Sequence, residues 1–258
     1  LPVGNGEMGA KVFVLIGEER IQYNEKTLWS GGPQPDSTDY NGGNYQDRYK
    51  VLAEIRKALE AGDRQKAKQL AERNLVGPNN TQYGRYLSFG DIFMVFNNQK
   101  KGIDTVTDYD RGLDITEATT TTSYVQDGTS FKRETFSSFP DDVTVTHLSK
   151  KGDKTLDFTL WNSLTEDLIA NGDYSWEYSN YKQGAVTTDS NGILLKGTVK
   201  DNGLQFASYL GIKTDGQVTA QDGYLTVTGA SYATLLLSAK TNFAQNPKTN
   251  YRKDIDLE

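Results

Sequence analysis

Glu7, Glu18, Glu19, Glu25, Asp91, Glu134, Asp141 and Asp142 are the side chains of this 258-residue sequence best suited to acid–base chemistry. Two carboxylates facing each other across a bond can divide the work, one protonating a leaving group and the other activating water. No spacing among the eight implies such a facing pair. Glu18-Glu19 and Asp141-Asp142 fall in expected turns, where acidic side chains are commonplace. No catalytic residue is therefore assigned. His147 is the single histidine, and it shares strand parity with Val143 and Val145 and hence their face. A hydrogen-bonded core or interface histidine is expected there rather than a base.

Metal and cofactor chemistry find no support either. One histidine and no cysteine supply too few nitrogen and sulfur ligands for a transition-metal site. Asp104, Asp108, Asp110 and Asp114 lack the calcium-loop pattern. The glycine-rich GNGEMG (4–9) leads into a strand, so the helix amino terminus that would hold a phosphate is missing. No metal and no cofactor are expected.

The stretch LPVGNGEMGAKVFVLIGEERIQYNEKTLWSGGP (1–33) organises the rest. Ala10 to Ile16 is an apolar run of strand length, Gly17-Glu18-Glu19 a tight connection, and Arg20 to Asn24 alternates as a half-buried strand does. Paired antiparallel, these strands bring their far ends, near Gly9 and Glu25, side by side. Asn5 and Glu7 then come from one glycine-rich loop, and Asn24, Glu25 and Trp29 from the other. Three readings stay open for these residues: docking on a neighbouring domain, a structural turn, or the rim of a ligand site. The docking reading leaves Trp29 at least partly exposed.

Further along, Pro33 to Gln46 reads as a loop. Tyr49 to Gly62 reads as a helix with Leu52, Ile55 and Leu59 on one face, and Asp63 caps a second helix ending at Gly77-Pro78. From Leu87 the pattern is β: Ile92 to Phe96 with both faces apolar, then Thr116 to Val125, Phe131 to Phe139, Val143 to Leu148 and Thr155 to Trp161. Asn191-Gly192, Asn202-Gly203, Asp215-Gly216 and Asp222-Gly223 punctuate the strands between Gly184 and Thr241, and such pairs favour hairpins because both turn positions take φ > 0. The expected fold is mainly all-β: a large two-sheet antiparallel sandwich with a small helical hairpin insertion near residues 49–77, forming one domain over residues 1–258.

A formal net charge of −6 without a basic cluster argues against a nucleic-acid partner. No apolar run approaches membrane-spanning length. The absence of cysteine leaves the compartment open. The chain opens at Leu1 inside a motif and stops at Glu258 in a charged stretch, so both ends read as cut from a longer protein.

LPVGNGEMGAKVF and RIQYNEKTLWSGGP are followed in order by LAEIRKALEAGDRQKAKQLAERNLVG (52–77), YLSFGDIFMVF (86–96), YDRGLDITEATTTTSY (109–124), FKRETFSSFPDDVTVTHLS (131–149) and NGLQFASYLGIKTDG (202–216). Together these resemble the amino-terminal domain of glycoside hydrolase family 95, the α-L-fucosidase family, over nearly the whole chain. The resemblance implies a β-super-sandwich that precedes an (α/α)6 barrel in the same polypeptide. It also implies that the catalytic acid and the asparagine- and aspartate-based activation of water lie in that barrel, whose motifs match no position here. The chain is then a non-catalytic domain of an inverting fucosidase, inactive alone, with the barrel and fucosylated or related glycans as partners. A carbohydrate-binding module is the alternative. Tyr174, Trp176 and Tyr178 recur at period two, with Tyr181 close by; such a face either stacks on sugar rings or fills the space between sheets.

Overall fold

The computed structural model describes residues 1–31, 47–75, 84–164 and 182–254. By contact density the chain divides into two compact units, Leu1–Leu28 with Tyr86–Glu258, and Trp29–Arg85.

The larger unit is built from strands β1 (Pro2–Gly4), β2 (Met8–Val12), β3 (Glu18–Glu25), β4 (Gly90–Phe96), β5 (Thr107–Asp114), β6 (Thr119–Gln126), β7 (Thr129–Ser138), β8 (Val143–Lys151), β9 (Leu156–Asn162), β10 (Lys182–Asp189), β11 (Gly192–Val199), β12 (Gln205–Thr214), β13 (Gln217–Gln221), β14 (Tyr224–Ala230) and β15 (Tyr232–Thr241). Among the described residues they form a seven-stranded sheet, β1-β2-β3-β4-β9-β14-β13, and an eight-stranded sheet, β10-β11-β12-β15-β8-β7-β6-β5. Every pairing is antiparallel. Inward-facing Ile21, Tyr23, Ile92, Met94, Phe158 and Leu160 of the first sheet share one core with Tyr124, Phe131, Leu148, Phe206, Leu235 and Leu237 of the second. The alternation of buried and half-buried residues along β3, β6 and β9 is what a face-to-face sandwich demands. The expected mainly-β sandwich with a small helical insertion is the fold observed.

In the smaller unit, a 3₁₀ turn at Arg48–Val51 runs into α1 (Leu52–Glu60), and α2 (Arg64–Asn74) follows. Gly62 takes φ 76°, ending the first helix as a left-handed glycine does. The Asp63 carboxylate then accepts from Lys66 N at 2.9 Å and caps the second. The proposed stop at Gly77-Pro78 and the whole loop at 33–46 lie outside the described residues.

Two local expectations need correction. The run Ala10–Ile16 is not one strand: β2 stops at Val12, and Val14 takes φ 58°. The cause is a buried acid. Val14 N donates to Glu19 Oε1 at 2.8 Å, and Leu15 O accepts from Arg133 Nη2, so these backbone groups serve an ion pair instead of a ladder. Glu18-Glu19 accordingly belongs to β3 and not to a turn. The second correction is Asp215-Gly216, which closes no hairpin. The chain there crosses from β12 in one sheet to β13 in the other. Asp215 Oδ1 accepts from Ser231 N at 2.8 Å and Tyr232 N at 3.2 Å, bracketing this crossing to the return crossing between β14 and β15. Asp222-Gly223 does form its hairpin, with φ 50° and 84°, and Asp127-Gly128 between β6 and β7 does the same with φ 48° and 78°.

Candidate functional site

The hairpin register places the two polar ends together: Met8 pairs with Glu25 and Gly9 with Asn24. Lys26 N donates to Glu7 O at 3.0 Å, closing the same corner. Asn5 is consumed by structure. Its Oδ1 accepts from Glu7 N at 3.0 Å and Met8 N at 2.7 Å, shaping the turn between β1 and β2. Its Nδ2 donates to Ser138 O at 2.9 Å and Asp142 Oδ1 at 3.3 Å, fastening that turn to the β7–β8 connection of the other sheet. Glu7 is half-buried and ion-paired with Lys26. Asn24 is half-buried at the strand exit, with its side chain hydrogen-bonded to the Tyr86 hydroxyl.

Glu25 is the buried acid of this corner. Its Oε2 accepts from Thr27 N at 2.9 Å and from Thr27 Oγ1 at 2.6 Å, and Thr27 Oγ1 also meets Thr241 Oγ1 at the end of β15. Burial pushes its carboxyl above the usual range, against the Thr27 hydrogen bonds, while the nearby Glu7 charge adds to the rise. Burial also raises the Tyr86 phenol, helped by the charge of Glu25. Trp29 is 46% exposed and belongs to the smaller unit. A Cβ added at Gly84 would lie 3.7 Å from its ring, and Ser30 N donates to Arg85 O at 2.9 Å. Tyr174, Trp176, Tyr178 and Tyr181 lie outside the described residues.

The remaining acids are held in structural pairs. Glu19 accepts from Arg133 Nη1 at 2.8 Å and Asp91 from Arg20 at 2.6 and 3.0 Å. Glu18 pairs with Lys101, Glu134 with Lys132, and Asp141 with the Ser138 hydroxyl. His147 sits half-buried on the outer face of β8 with Val143 and Val145, its Nδ1 2.9 Å from Thr234 Oγ1 and its ring stacked on Tyr232. Among the described residues no cluster of three His, Cys, Asp or Glu side chains is placed to hold a metal ion, and no helix is long and apolar enough to cross a membrane. Sequence reasoning missed Thr27, Tyr86 and Thr241. Thr27 was within the quoted NEKTLW motif, but Thr241 reaches the site from more than two hundred residues away and leaves no local signal.

Residues 1–246 match the family model described as the N-terminal domain of glycosyl hydrolase family 65. The chain belongs to that domain family. Within this glycosyl hydrolase domain, the loops at the β1–β2 turn and the β3 exit are where polar side chains converge, while the sheets carry the core. The chain is also similar to three curated proteins. It is 26% identical to "Alpha-L-fucosidase 2" of Arabidopsis thaliana, over 94% of this chain and 29% of that protein. It is 24% identical to "Probable alpha-fucosidase A" of Aspergillus oryzae, over 93% and 31%, and 29% identical to the Aspergillus niger protein of the same name, over 64% and 20%. The chain thus spans less than a third of the length of these relatives.

Proposed function

We propose that this chain is the non-catalytic amino-terminal domain of an inverting α-L-fucosidase of the family 95 type, supporting a helical catalytic barrel and shaping its active site. The carrying observation is the match itself: 93–94% of the chain aligns with two fucosidases of which it covers only 29–31%. The chemistry of the described acids supports the reading. Glu19 and Asp91 are each tied to an arginine, and Glu25 to a threonine. None has a second free carboxyl opposite it. An inverting enzyme protonates the leaving oxygen with one group while another activates water on the opposite face of the sugar. In this reading both groups come from the barrel. The domain contributes a rigid end, with the Asn5 turn locked to the β7–β8 connection, against which the barrel and its glycan are positioned.

The test is a comparison of two preparations. The isolated chain should not hydrolyse aryl α-L-fucosides or 2′-fucosylated glycans above background, whereas joined to its catalytic part it should support turnover. Steady turnover by the pure isolated chain, abolished by one Asp or Glu substitution within it, would overturn the reading.

A further inference from the structure

Glu25 is built unlike the other buried acids. It is 5% exposed, yet only one of its oxygens is committed. Oε2 accepts from both the amide and the hydroxyl of Thr27. Behind Thr27 the donors run in a single direction. Thr27 has one hydroxyl proton and gives it to Glu25 Oε2, so in the contact between the two threonines the Thr241 hydroxyl donates and Thr27 Oγ1 accepts, while Phe243 N donates to Thr241 Oγ1 at 3.2 Å. With two donors on Oε2, any proton carried by this carboxyl resides on Oε1. Among the described residues Oε1 receives no hydrogen bond, and it is not one of the polar atoms sealed from solvent. By contrast, both oxygens of Glu19 are bonded, and the second oxygen of Asp91 is sealed inside the protein.

The surroundings restrict what Oε1 can meet. The Tyr86 hydroxyl, on a side chain 42% exposed, stands nearby with Asn24 as its neighbour. Lys26 is neutralised by Glu7. Among the described residues no unmatched positive charge is present at this corner to attract an anion, and the two carboxylates disfavour one. A carboxyl with one fixed and one free oxygen, flanked by a phenol and an amide, suits an uncharged hydroxyl, which can both donate and accept. We infer that Glu25 is a specificity-determining residue whose Oε1 hydrogen-bonds a hydroxyl of a neutral sugar, with Tyr86 beside it. This rests on the proposed glycosidase role, which supplies the sugar. The raised carboxyl of Glu25 is consistent with it, since the group keeps its proton to higher pH than an ordinary glutamate and so offers Oε1 as a donor.

The experiment titrates the 258-residue chain, labelled with ¹³C and ¹⁵N, with L-fucose and 2′-fucosyllactose up to about 0.1 M, where millimolar binding is saturated. The expected result is a shift of the Glu25 side-chain carboxyl and of the Lys26 and Thr27 amides. Glu25→Ala should weaken that binding about tenfold or more, while Glu25→Gln should stay within about threefold, because its amide NH₂ replaces the free oxygen as donor. Folding of each variant is read from the same amide spectra. Absence of any sugar-induced shift at these positions overturns the inference, as does Glu25→Ala binding like the parent. A response to guanidinium-bearing arginine amide but not to sugar also overturns it, and would identify a cationic protein contact instead. If the chain still supports turnover with its catalytic part while no sugar touches Glu25, this inference fails and the proposed function stands.

Discussion

Arg133 on β7 places its Nη1 2.8 Å from Glu19 Oε2 on β3, joining the two sheets by an ion pair inside the core. Glu19 is 2% exposed and Arg133 4%. The guanidinium lies between the rings of Phe96 and Tyr124, at 5.3 and 5.5 Å from their centroids, and also donates to Glu18 O and Leu15 O. A buried pair costs desolvation on both sides, so its merit lies in geometry more than in net energy. Here it fixes the irregular segment after β2, and with it the register of the hairpin that ends at Glu25.

Removing one partner should therefore be much worse than removing both. Arg133→Leu should cost about 3–5 kcal/mol, because it strands a buried carboxylate, and adding Glu19→Leu should restore a substantial part. Urea denaturation of the two single variants and the double variant reads the coupling. A single-variant cost under about 1 kcal/mol would show that the pair is solvated and the assignment mistaken.

The Asn5 side chain makes four hydrogen bonds, two of them to the β7–β8 connection. Asn5→Ala should destabilise the chain by about 1–3 kcal/mol and raise amide exchange at Glu7 and Met8, whose N–H groups lose their acceptor. Asn5→Asp keeps Oδ1 for those two amides but puts a charge opposite Asp142. It should keep the turn protected while releasing the β7–β8 contact. Equal protection at both places in the alanine variant would refute this division of labour.

Much of this arrangement was legible in the sequence. Alternation along β3 and β7, the Asp63 cap and the Asp222-Gly223 turn are local signals, and local chemistry produced the elements they announce. The nearness of the ends around Gly9 and Glu25 was legible from two strands and a short connection, although β2 ends at Val12 and the connection comes before Glu18. What escaped was non-local. Nothing near Glu19 in the sequence announces Arg133, 114 residues away, so Glu18-Glu19 read as an acidic turn. Asp215-Gly216 had hairpin residues but serves a sheet crossing, because Ser231 and Tyr232 offer N–H groups that no local rule foresees. Thr241 reaches Glu25 only through the sandwich.

The acids titrate so as to set the shape of the stability curve. Burial raises the carboxyl of Glu25, and also that of Glu19 despite Arg133 and the backbone donors. A folded state that holds protons more tightly than the unfolded one is stabilised below the unfolded value. That stability is lost as pH rises from about 4.5 through the raised folded value. Asp127 and Asp215 move oppositely, lowered first by hydrogen bonds from Lys154 and from Ser231. Their contribution is present above their ordinary range and lost as pH falls through the lowered values. Unfolding midpoints measured from pH 3 to 8 should therefore decline on the alkaline side, and Glu25→Gln should flatten that decline. An unchanged alkaline slope in the variant would remove Glu25 as its source.

Trp29 has nearly half its surface in solvent, and it opens the smaller unit next to the Ser30–Arg85 hydrogen bond. A large aromatic left that exposed contributes little to the fold it sits on, but it can anchor an interface, where truncation typically costs about 2 kcal/mol or more. The proposed docking of a catalytic barrel gives it that use. Trp29→Ala in the isolated chain should lower stability by less than about 1 kcal/mol. In the longer protein the same change should weaken association of the barrel, read as earlier proteolysis between the domains, a second unfolding transition or reduced fucoside turnover. The controls are Phe89→Ala and Leu28→Ala, whose side chains are fully buried and should cost about 2–5 kcal/mol in either setting. If Trp29→Ala destabilises the isolated chain as much as they do, Trp29 is an ordinary packing residue and the barrel must be held elsewhere.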